Sequence, residues 1–267
     1  MMIQETRTAP TNAPGATVAP IANAIAVASG KGGVGKTWLS VTLAHALAKL
    51  GRQTVLIDGD LGLANVDIQL GLQPELDLAD VLDNDVPLAQ AVQRHAGTGL
   101  DIVAGRSGVA SLATLSPMRL NALGRGIATL SERYDRVLID LGAGVEKPVR
   151  YLSALAQRTI VVTNDEPTSL TDAYALIKLL MQDRAQTKIG VVVNAAASKA
   201  EGERTYKTLA KACDTFLKFA PPLLGVVRRD SKVRDAIRAQ TPLLTRHPGC
   251  DAARDVEAIA QQVAQVS

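Results

Sequence analysis

The stretch that decides the fold is Ser29-Gly30-Lys31-Gly32-Gly33-Val34-Gly35-Lys36-Thr37. It follows an apolar run from Ala24 to Ala28, which predicts a short buried strand, and it precedes a helical pattern that ends near Leu50. From Gly30 to Thr37 the residues fit G-x-x-x-x-G-K-[ST], a pattern whose glycines let successive backbone N–H groups converge on one phosphate. A glycine-rich strand-to-helix turn is the plainer alternative, but the flanking strand and helix favour phosphate binding.

The same loop predicts roles for individual residues. Lys36 should reach the β- and γ-phosphates of a nucleotide, and Thr37 should offer its hydroxyl to Mg²⁺. Trp38 comes next and either packs in the core or borders the nucleotide, and packing is the simpler interpretation. The sequence therefore predicts a nucleotide site that includes Gly30, Lys31, Gly32, Gly33, Val34, Gly35, Lys36, Thr37 and Trp38.

Composition limits the other possibilities. A chain of 267 residues, 47% of them hydrophobic, can bury one sizeable α/β core, and a net charge of +3 permits but does not demand an anionic partner. Aromatic residues make up only 3%, too few for a platform that stacks single-stranded nucleic acid. No apolar run is long enough to span a bilayer, and the beginning of the chain lacks the features of a secretion signal. Cys213 and Cys250 have no metal or redox spacing, which is consistent with a reducing cytoplasm.

Acidic residues follow two further predicted strands. The run from Gln53 to Asp58 continues into Gly59 and Asp60, and Asp140 ends another aliphatic strand. Ligands in open parallel sheets bind beyond the carboxyl ends of the strands, so these acids should lie beside the phosphate-binding loop. Alone, Asp58 and Asp60 would be interpreted as ordinary turn residues. Asp140 fits the acid that holds Mg²⁺ through water in nucleotide-hydrolysing proteins.

Strands and helices alternate along the whole chain. Further strands are predicted at 100–105, 159–163, 188–194 and 223–227, with helical patterns between them, and Leu70 to Asp101 is predicted as helix and loop. The alternation predicts an α/β fold with a mostly parallel, twisted β-sheet and helices on both faces. We expect residues 1–22 to form a flexible N-terminal arm and residues 23–267 to form one P-loop ATPase domain.

The second lysine of the loop carries further information. The run K-G-G-V-G-K-T, which begins at Lys31, resembles the deviant Walker A motif of the MinD/ParA family of ATPases. The run from Asp58 to Asp67 resembles that family's D-x-D-x-G-x-x-N-x-D element, and Asp140 follows in the family's order. The resemblance implies that Lys31 reaches the phosphates of a partner subunit in an ATP-bound homodimer and that Asp60 positions the attacking water. The implied catalytic residues are Lys31, Lys36 and Asp60, and the implied metal site is Thr37, Asp60 and Asp140.

Two positions near the end of the chain extend the implied nucleotide site. Asn194 ends an apolar strand and corresponds to the family position that hydrogen-bonds the adenine edge. Arg228 stands where the family usually has a proline, so the contacts that line the base should change there. The cations from Arg228 to Arg238 form either a solvated helix face with internal charge pairs or an interface for an anionic or protein partner.

One branch of the family resembles this chain most. The runs Asp60 to Asp67 and Glu166 to Lys178 resemble the flagellar-number regulators of the MinD branch, the FlhG/FleN type. The resemblance implies an ATP- and Mg²⁺-dependent switch that sets the number or placement of flagella through a flagellar GTPase or a transcription regulator. Such a protein would be cytoplasmic, with the inner face of the membrane or a cell pole as places of action.

Three alternatives concern what the protein binds, namely DNA, a membrane or a metal cluster. A partition-type positioning ATPase would bind DNA without sequence preference through the cations of Arg228 to Arg238. Peripheral membrane contact is weakly supported, because the final helix, from about Asp251 to Val266, has one cation and no Trp or Phe. A metal-cluster scaffold is disfavoured because the chain has no CxxC pair.

Overall fold

The strands form one eight-stranded sheet in the computed structural model, which describes residues 19–107, 115–184 and 188–265. Their order is β3-β4-β2-β5-β1-β6-β7-β8, and all neighbouring pairs are parallel except β3 and β4. The phosphate loop follows a strand in the middle of this sheet. In chain order the strands are β1 (Ile21–Ser29), β2 (Thr54–Gly59), β3 (Val92–His95), β4 (Leu100–Val103), β5 (Arg136–Ala143), β6 (Ala156–Thr163), β7 (Lys188–Ala196) and β8 (Leu223–Arg228).

Helices cover both faces of the sheet. They are α1 (Lys36–Lys49), α2 (Val66–Leu70), α3 (Leu78–Asp83), α4 (Pro117–Ser131), α5 (Lys147–Leu155), α6 (Pro167–Asp183), α7 (Lys199–Leu217), α8 (Ser231–Arg238), α9 (Leu243–Arg246) and α10 (Asp251–Gln265), with a 3₁₀ turn at Leu88–Gln90. Apolar residues of α1, α2, α8, α9 and α10 pack on one face, and those of α3 to α7 pack on the other. Successive residues of β1 alternate between these two layers, as expected for a strand buried on both sides. The predicted fold class is confirmed.

The prediction of helix and loop for Leu70 to Asp101 is wrong at β3. This strand pairs antiparallel with β4, so that Val92 lies opposite Val103 and His95 opposite Leu100. The connecting turn ends at Gly99, whose φ of 68° is one that glycine adopts without strain. β3 lies at the edge of the sheet and is partly polar, so it lacks the apolar run that reveals the central strands.

The start of α6 is tied to the end of β6. The helix begins at Pro167, a residue suited to the first turn because it has no backbone N–H to leave unsatisfied. Thr168 and Ser169 therefore lie inside the helix. Ser169 shares a hydrogen bond with the Thr163 hydroxyl at 2.9 Å and accepts one from the backbone N–H of Asn164 at 3.3 Å, which ties α6 to the end of β6.

The ends of the other elements differ little from the sequence prediction. The last helix ends at Gln265, and α4 has Ser116 as its N-cap, which accepts a hydrogen bond from the backbone N–H of Arg119. The arm expected at 1–22 lies largely outside the described residues, and β1 begins at Ile21.

Candidate functional site

The phosphate loop joins β1 to α1 at the carboxyl edge of the sheet. Gly35, the N-cap of α1, has φ 85°, a left-handed conformation that favours glycine. A side chain at Gly35 would collide with the Asn194 amide, and one at Gly30 would collide with the backbone carbonyl of Asp172. The loop borders a cavity of about 490 Å³ that extends to Asp60. The positive end of α1 therefore opens onto a space that suits the phosphates of a nucleotide.

Three side chains meet behind the loop. Lys36 Nζ lies 3.1 Å from Asp140 Oδ1, and Ser40 Oγ donates to the same oxygen at 2.7 Å. Asp140 and Ser40 are fully buried, and Lys36 is 7% exposed. β5 positions the aspartate, and one turn of α1 places Lys36 and Ser40 on the same side of the helix. The arrangement fixes the lysine that sequence reasoning assigned to the phosphates.

The other oxygen of Asp140 bears on metal binding. Oδ2 is buried and has no hydrogen-bond partner among the described residues. A buried carboxylate oxygen without a donor is costly, so it fits a position where a metal-bound water donates to it. Thr37 and Asp60 line the adjacent cavity, which adds a hydroxyl and a carboxylate, oxygen ligands of the type that Mg²⁺ prefers. The residues present therefore fit Mg²⁺.

Asp58 organises the acidic loop. Its carboxylate accepts hydrogen bonds from the backbone N–H groups of Asp60 at 3.2 Å, and of Asn65 and Val66 at 3.0 Å each. Burial and the nearby Asp140 carboxylate raise the pKa of Asp58 to about 7, although the three hydrogen bonds favour its charged form. The loop after β2 is thus shaped by a carboxyl group that has no access to solvent.

Asp60 lies at the edge of the phosphate cavity, between its own loop and the end of β5. Its carboxylate accepts hydrogen bonds from the backbone N–H groups of Gly62 at 3.3 Å and Leu63 at 3.0 Å. On its other side, a Cβ added at Gly142 would lie 3.3 Å from Asp60 Oδ1. The carboxylate is held by its own loop and stands against the end of β5.

Lys31 is bound within its own subunit. Its ammonium pairs with the Glu166 carboxylate and donates to Thr168 Oγ1 at 2.8 Å. The hydrogen bond from Lys31, together with one from Asn164 and the charge of Lys31, lowers the pKa of Glu166. Because the side chains of Lys31 and Glu166 are 33% and 53% exposed, the pair lies at the surface, where it can separate at small cost. The first lysine of the loop thus contacts the start of α6.

A second cavity, of about 320 Å³, adjoins the phosphate loop beside β7 and β8. Asn194 and Arg228 line it, and Trp38 lines both this cavity and the phosphate cavity. Asn194 Nδ2 donates to the Val34 carbonyl at 2.7 Å and so ties β7 to the loop. The structure thus brings the residues assigned to the base next to those assigned to the phosphates.

The Arg228 guanidinium also has partners in α10. Its Nε and Nη2 atoms lie 2.9 Å from the two oxygens of Asp255, and Nη1 lies 2.9 Å from Asp251 Oδ2. Farther along the basic run, Asp235 pairs with Arg246 and His247 at 2.7 and 2.6 Å. Among the described residues, Arg228 is thus the one cation of the run from Arg228 to Arg238 that forms an ion pair, and Asp235 pairs with cations outside the run.

The sheet, the loop with two lysines and the strand-end aspartates define a nucleotide-binding protein of the P-loop class. Residues 25–243 match the family model described as the CobQ/CobB/MinD/ParA nucleotide binding domain, and the chain belongs to this family. Over 239 residues it is 43% identical to the antiactivator FleN of Pseudomonas aeruginosa, covering 90% of this chain and 85% of FleN. It is also 29% identical over 238 residues to the flagellum site-determining protein YlxH of Helicobacter pylori, covering 88% of this chain and 80% of YlxH.

Solved structures agree with this assignment. The septum site-determining protein MinD of Pyrococcus horikoshii, complexed with Mg-ADP, superimposes with a TM-score of 0.77 at 28% identity, covering 91% of this chain and 96% of MinD. MinD from the MinC:MinD complex of Aquifex aeolicus gives 0.74 at 27% identity, covering 92% and 97%. The predicted resemblance to the flagellar branch of MinD-like ATPases is confirmed. Among the described helices, none combines the length and apolarity that crossing a bilayer requires.

Proposed function

We propose that this protein is an ATP-dependent, dimerising ATPase switch that controls the number or placement of flagella. The observation that carries the proposal is the 43% identity with FleN over 90% of the chain. The geometry supports it, because Lys36 and Asp60 line a cavity suited to phosphates and Asp140 holds Lys36 from behind. Partition-type ATPases match at lower identity, 19% for the ParA family ATPase of Chlorobium tepidum, and share the fold.

The proposed chemistry is the attack of water on the γ-phosphate of ATP. Lys36 stabilises charge on the β- and γ-phosphates, and the loop N–H groups hold the phosphates in line. Asp60 orients the water or accepts its proton while the bond between the γ-phosphorus and the bridging oxygen breaks, which releases ADP and phosphate. Asp140 and Thr37 would hold Mg²⁺, which neutralises phosphate charge when it is bound.

Lys31 supplies the link between ATP and dimerisation in this proposal. In the single subunit it is paired with Glu166 and Thr168. To reach the phosphates of a partner subunit it must leave both groups, so closure of the dimer exchanges a surface ion pair for contacts with a phosphate. Two subunits would therefore close only when a γ-phosphate is present, and hydrolysis alone would be slow.

Partners and location are proposed from the relatives. FleN is named an antiactivator and YlxH a flagellum site-determining protein, which suggests a transcription regulator or a flagellar GTPase as the protein partner of this chain. We propose that it acts from the cytoplasm at the inner face of the membrane or at a cell pole. Non-specific DNA binding by the basic run is the weaker alternative, because the partition-type relative matches at only 19% identity, whereas FleN matches at 43%.

The switch is tested by light scattering after size-exclusion chromatography, with ADP·Mg²⁺ or ATP·Mg²⁺. Asp60→Ala should trap an ATP-bound dimer, and Lys31→Ala should stay monomeric in both nucleotides. Lys49→Ala, which removes a lysine from the far end of α1, is the matched control and should behave as wild type. If Lys31→Ala dimerises and hydrolyses ATP normally, the exchange described above does not occur.

The cellular role is tested by counting flagella in a strain that lacks the gene and carries a variant copy. Lys36→Ala should leave flagellar number or position unregulated, whereas Lys49→Ala should restore the normal pattern. Normal flagellation with Lys36→Ala would separate the cellular role from nucleotide binding and overturn the proposed switch.

A further inference from the structure

The amino ends of the strands, opposite the nucleotide site, carry three cations, one each on β5, β6 and β7. Arg158 of β6 lies in register with Ile25 of β1 on one side and with Lys188 of β7 on the other. The pairing of β1 with β5 places Arg136 one residue before a paired position, beside Asn23. Residues in register on parallel strands point to the same face, so these cations share the face that carries Ile25.

A cavity of about 220 Å³ opens between these side chains. Its walls combine the three cations with apolar groups of β1 and α10, Ile25 and Val263 among them. Arg136 donates two hydrogen bonds, from Nη1 to the Asp135 carbonyl at 2.8 Å and from Nη2 to the Ala264 carbonyl at 3.2 Å. Arg158 and Lys188 form no side-chain hydrogen bond or ion pair with the residues that the structure describes.

The unpaired guanidinium of Arg158 is costly. It is half-buried, and burial together with the neighbouring Arg136 charge lowers its pKa, yet an arginine stays protonated in proteins. Two other arginines illustrate the usual solution, since Arg228 pairs with Asp255 and Arg150 with Asp183. The half-buried guanidinium groups of Arg136 and Arg158 lie on either side of β1 and repel each other, and an anion between them would remove both penalties.

We infer that this cavity binds an oxyanion, a phosphate group held by Arg158 with Arg136 and Lys188 beside it. Two parallel N–H groups of the Arg158 guanidinium can donate to two oxygens of one phosphate. The exposed ammonium of Lys188 adds a positive charge at the mouth of the cavity. The site lies at the amino ends of the strands, whereas the nucleotide binds at their carboxyl ends. It is therefore separate from the ATPase chemistry, and its phosphate comes either from a small free ligand or from the headgroup of an anionic lipid.

The test uses wild-type protein saturated with ADP·Mg²⁺, so that the phosphate loop is filled. Inorganic phosphate is titrated by calorimetry at constant ionic strength, with chloride as the balancing anion. Arg158→Gln should weaken binding by about tenfold or more, because it removes both donors of the fork, and exposed Lys188→Gln should weaken it by roughly threefold. Arg133→Gln, which removes a cation near the same edge but outside the cavity, should leave binding unchanged.

A second arm identifies the source of the phosphate. Vesicles of phosphatidylglycerol and of phosphatidylcholine are sedimented with the same four proteins. Binding to phosphatidylglycerol that depends on Arg158 assigns the site to a lipid headgroup, and binding of inorganic phosphate alone assigns it to a small ligand. Equal binding by wild type and Arg158→Gln in both arms, or no binding in either, would overturn the inference. Lys188→Gln changes an exposed residue, so its result stands if Arg158→Gln does not fold.

Discussion

Removal of the Ser40 hydroxyl should destabilise the nucleotide-free protein and slow ATP hydrolysis. Ser40 is fully buried, and its Oγ donates to Asp140 Oδ1 at 2.7 Å. Asp140 has only one other side-chain donor among the described residues, Lys36 Nζ at 3.1 Å. In Ser40→Ala a buried carboxylate keeps the lysine and loses the shorter of its two contacts.

The size of the effect follows from the type of hydrogen bond. A bond to a charged group contributes about 1.5–3 kcal/mol, and the missing oxygen leaves little cavity. For a domain of this size, that loss lowers the melting temperature by roughly 3–12 °C. Hydrolysis should fall as well, because Asp140 and Lys36 then have more freedom to leave the arrangement that binds the phosphates.

Ser153→Ala is the matched control. Ser153 is also fully buried, but its Oγ has no hydrogen-bond partner among the described residues, so its removal should be neutral or stabilise the protein by up to about 1 kcal/mol. Urea unfolding without nucleotide gives the free energy of unfolding of both variants, and steady-state phosphate release gives their activity. Equal stability of Ser40→Ala and Ser153→Ala would refute the assignment of a charge-assisted bond at Asp140.

Three shorter predictions concern other parts of the molecule. Glu166→Gln removes the charge that holds Lys31, so the dimer should form at lower ATP concentration in light scattering; an unchanged midpoint would contradict this. Burial lowers the pKa of His45 to about 4. As the pH falls from 6.5 to about 4, the unfolded chain therefore takes up this proton before the folded protein does, and the free energy of unfolding should decrease. The decrease should be less steep in His45→Gln. Gly35→Ala should weaken ATP binding, measured by calorimetry, by roughly five- to thirtyfold, because the left-handed backbone costs about 1–2 kcal/mol with a side chain.

The phosphate loop was predictable because its chemistry is local. Successive residues from Gly30 to Thr37 supply the turn, the lysine and the hydroxyl, and no distant partner is needed to recognise them. Asp60 and Asp140 were predictable in a second way, because parallel strands bring their carboxyl ends to one edge of the sheet.

The contacts that complete the site were not predictable, because they join residues far apart in the chain. Glu166 and Thr168 lie more than a hundred residues after Lys31, and nothing in their local pattern indicates a lysine partner. The spacing of Ser40 could have indicated its role, because it follows Lys36 by four residues and so lies on the same side of α1. The edge strand β3 gave no clear signal, since a half-exposed strand needs few apolar residues.

Trp38 gives the protein a built-in optical reporter. It is the only tryptophan in the chain and is 6% exposed. It borders both the phosphate cavity and the second cavity, the one beside β7 and β8. Selective excitation of this indole would therefore report on a single location, and the arrival of ATP or its replacement by ADP should alter the emission of the unlabelled protein. Stopped-flow mixing could then time nucleotide exchange in the native chain without a dye or an engineered probe.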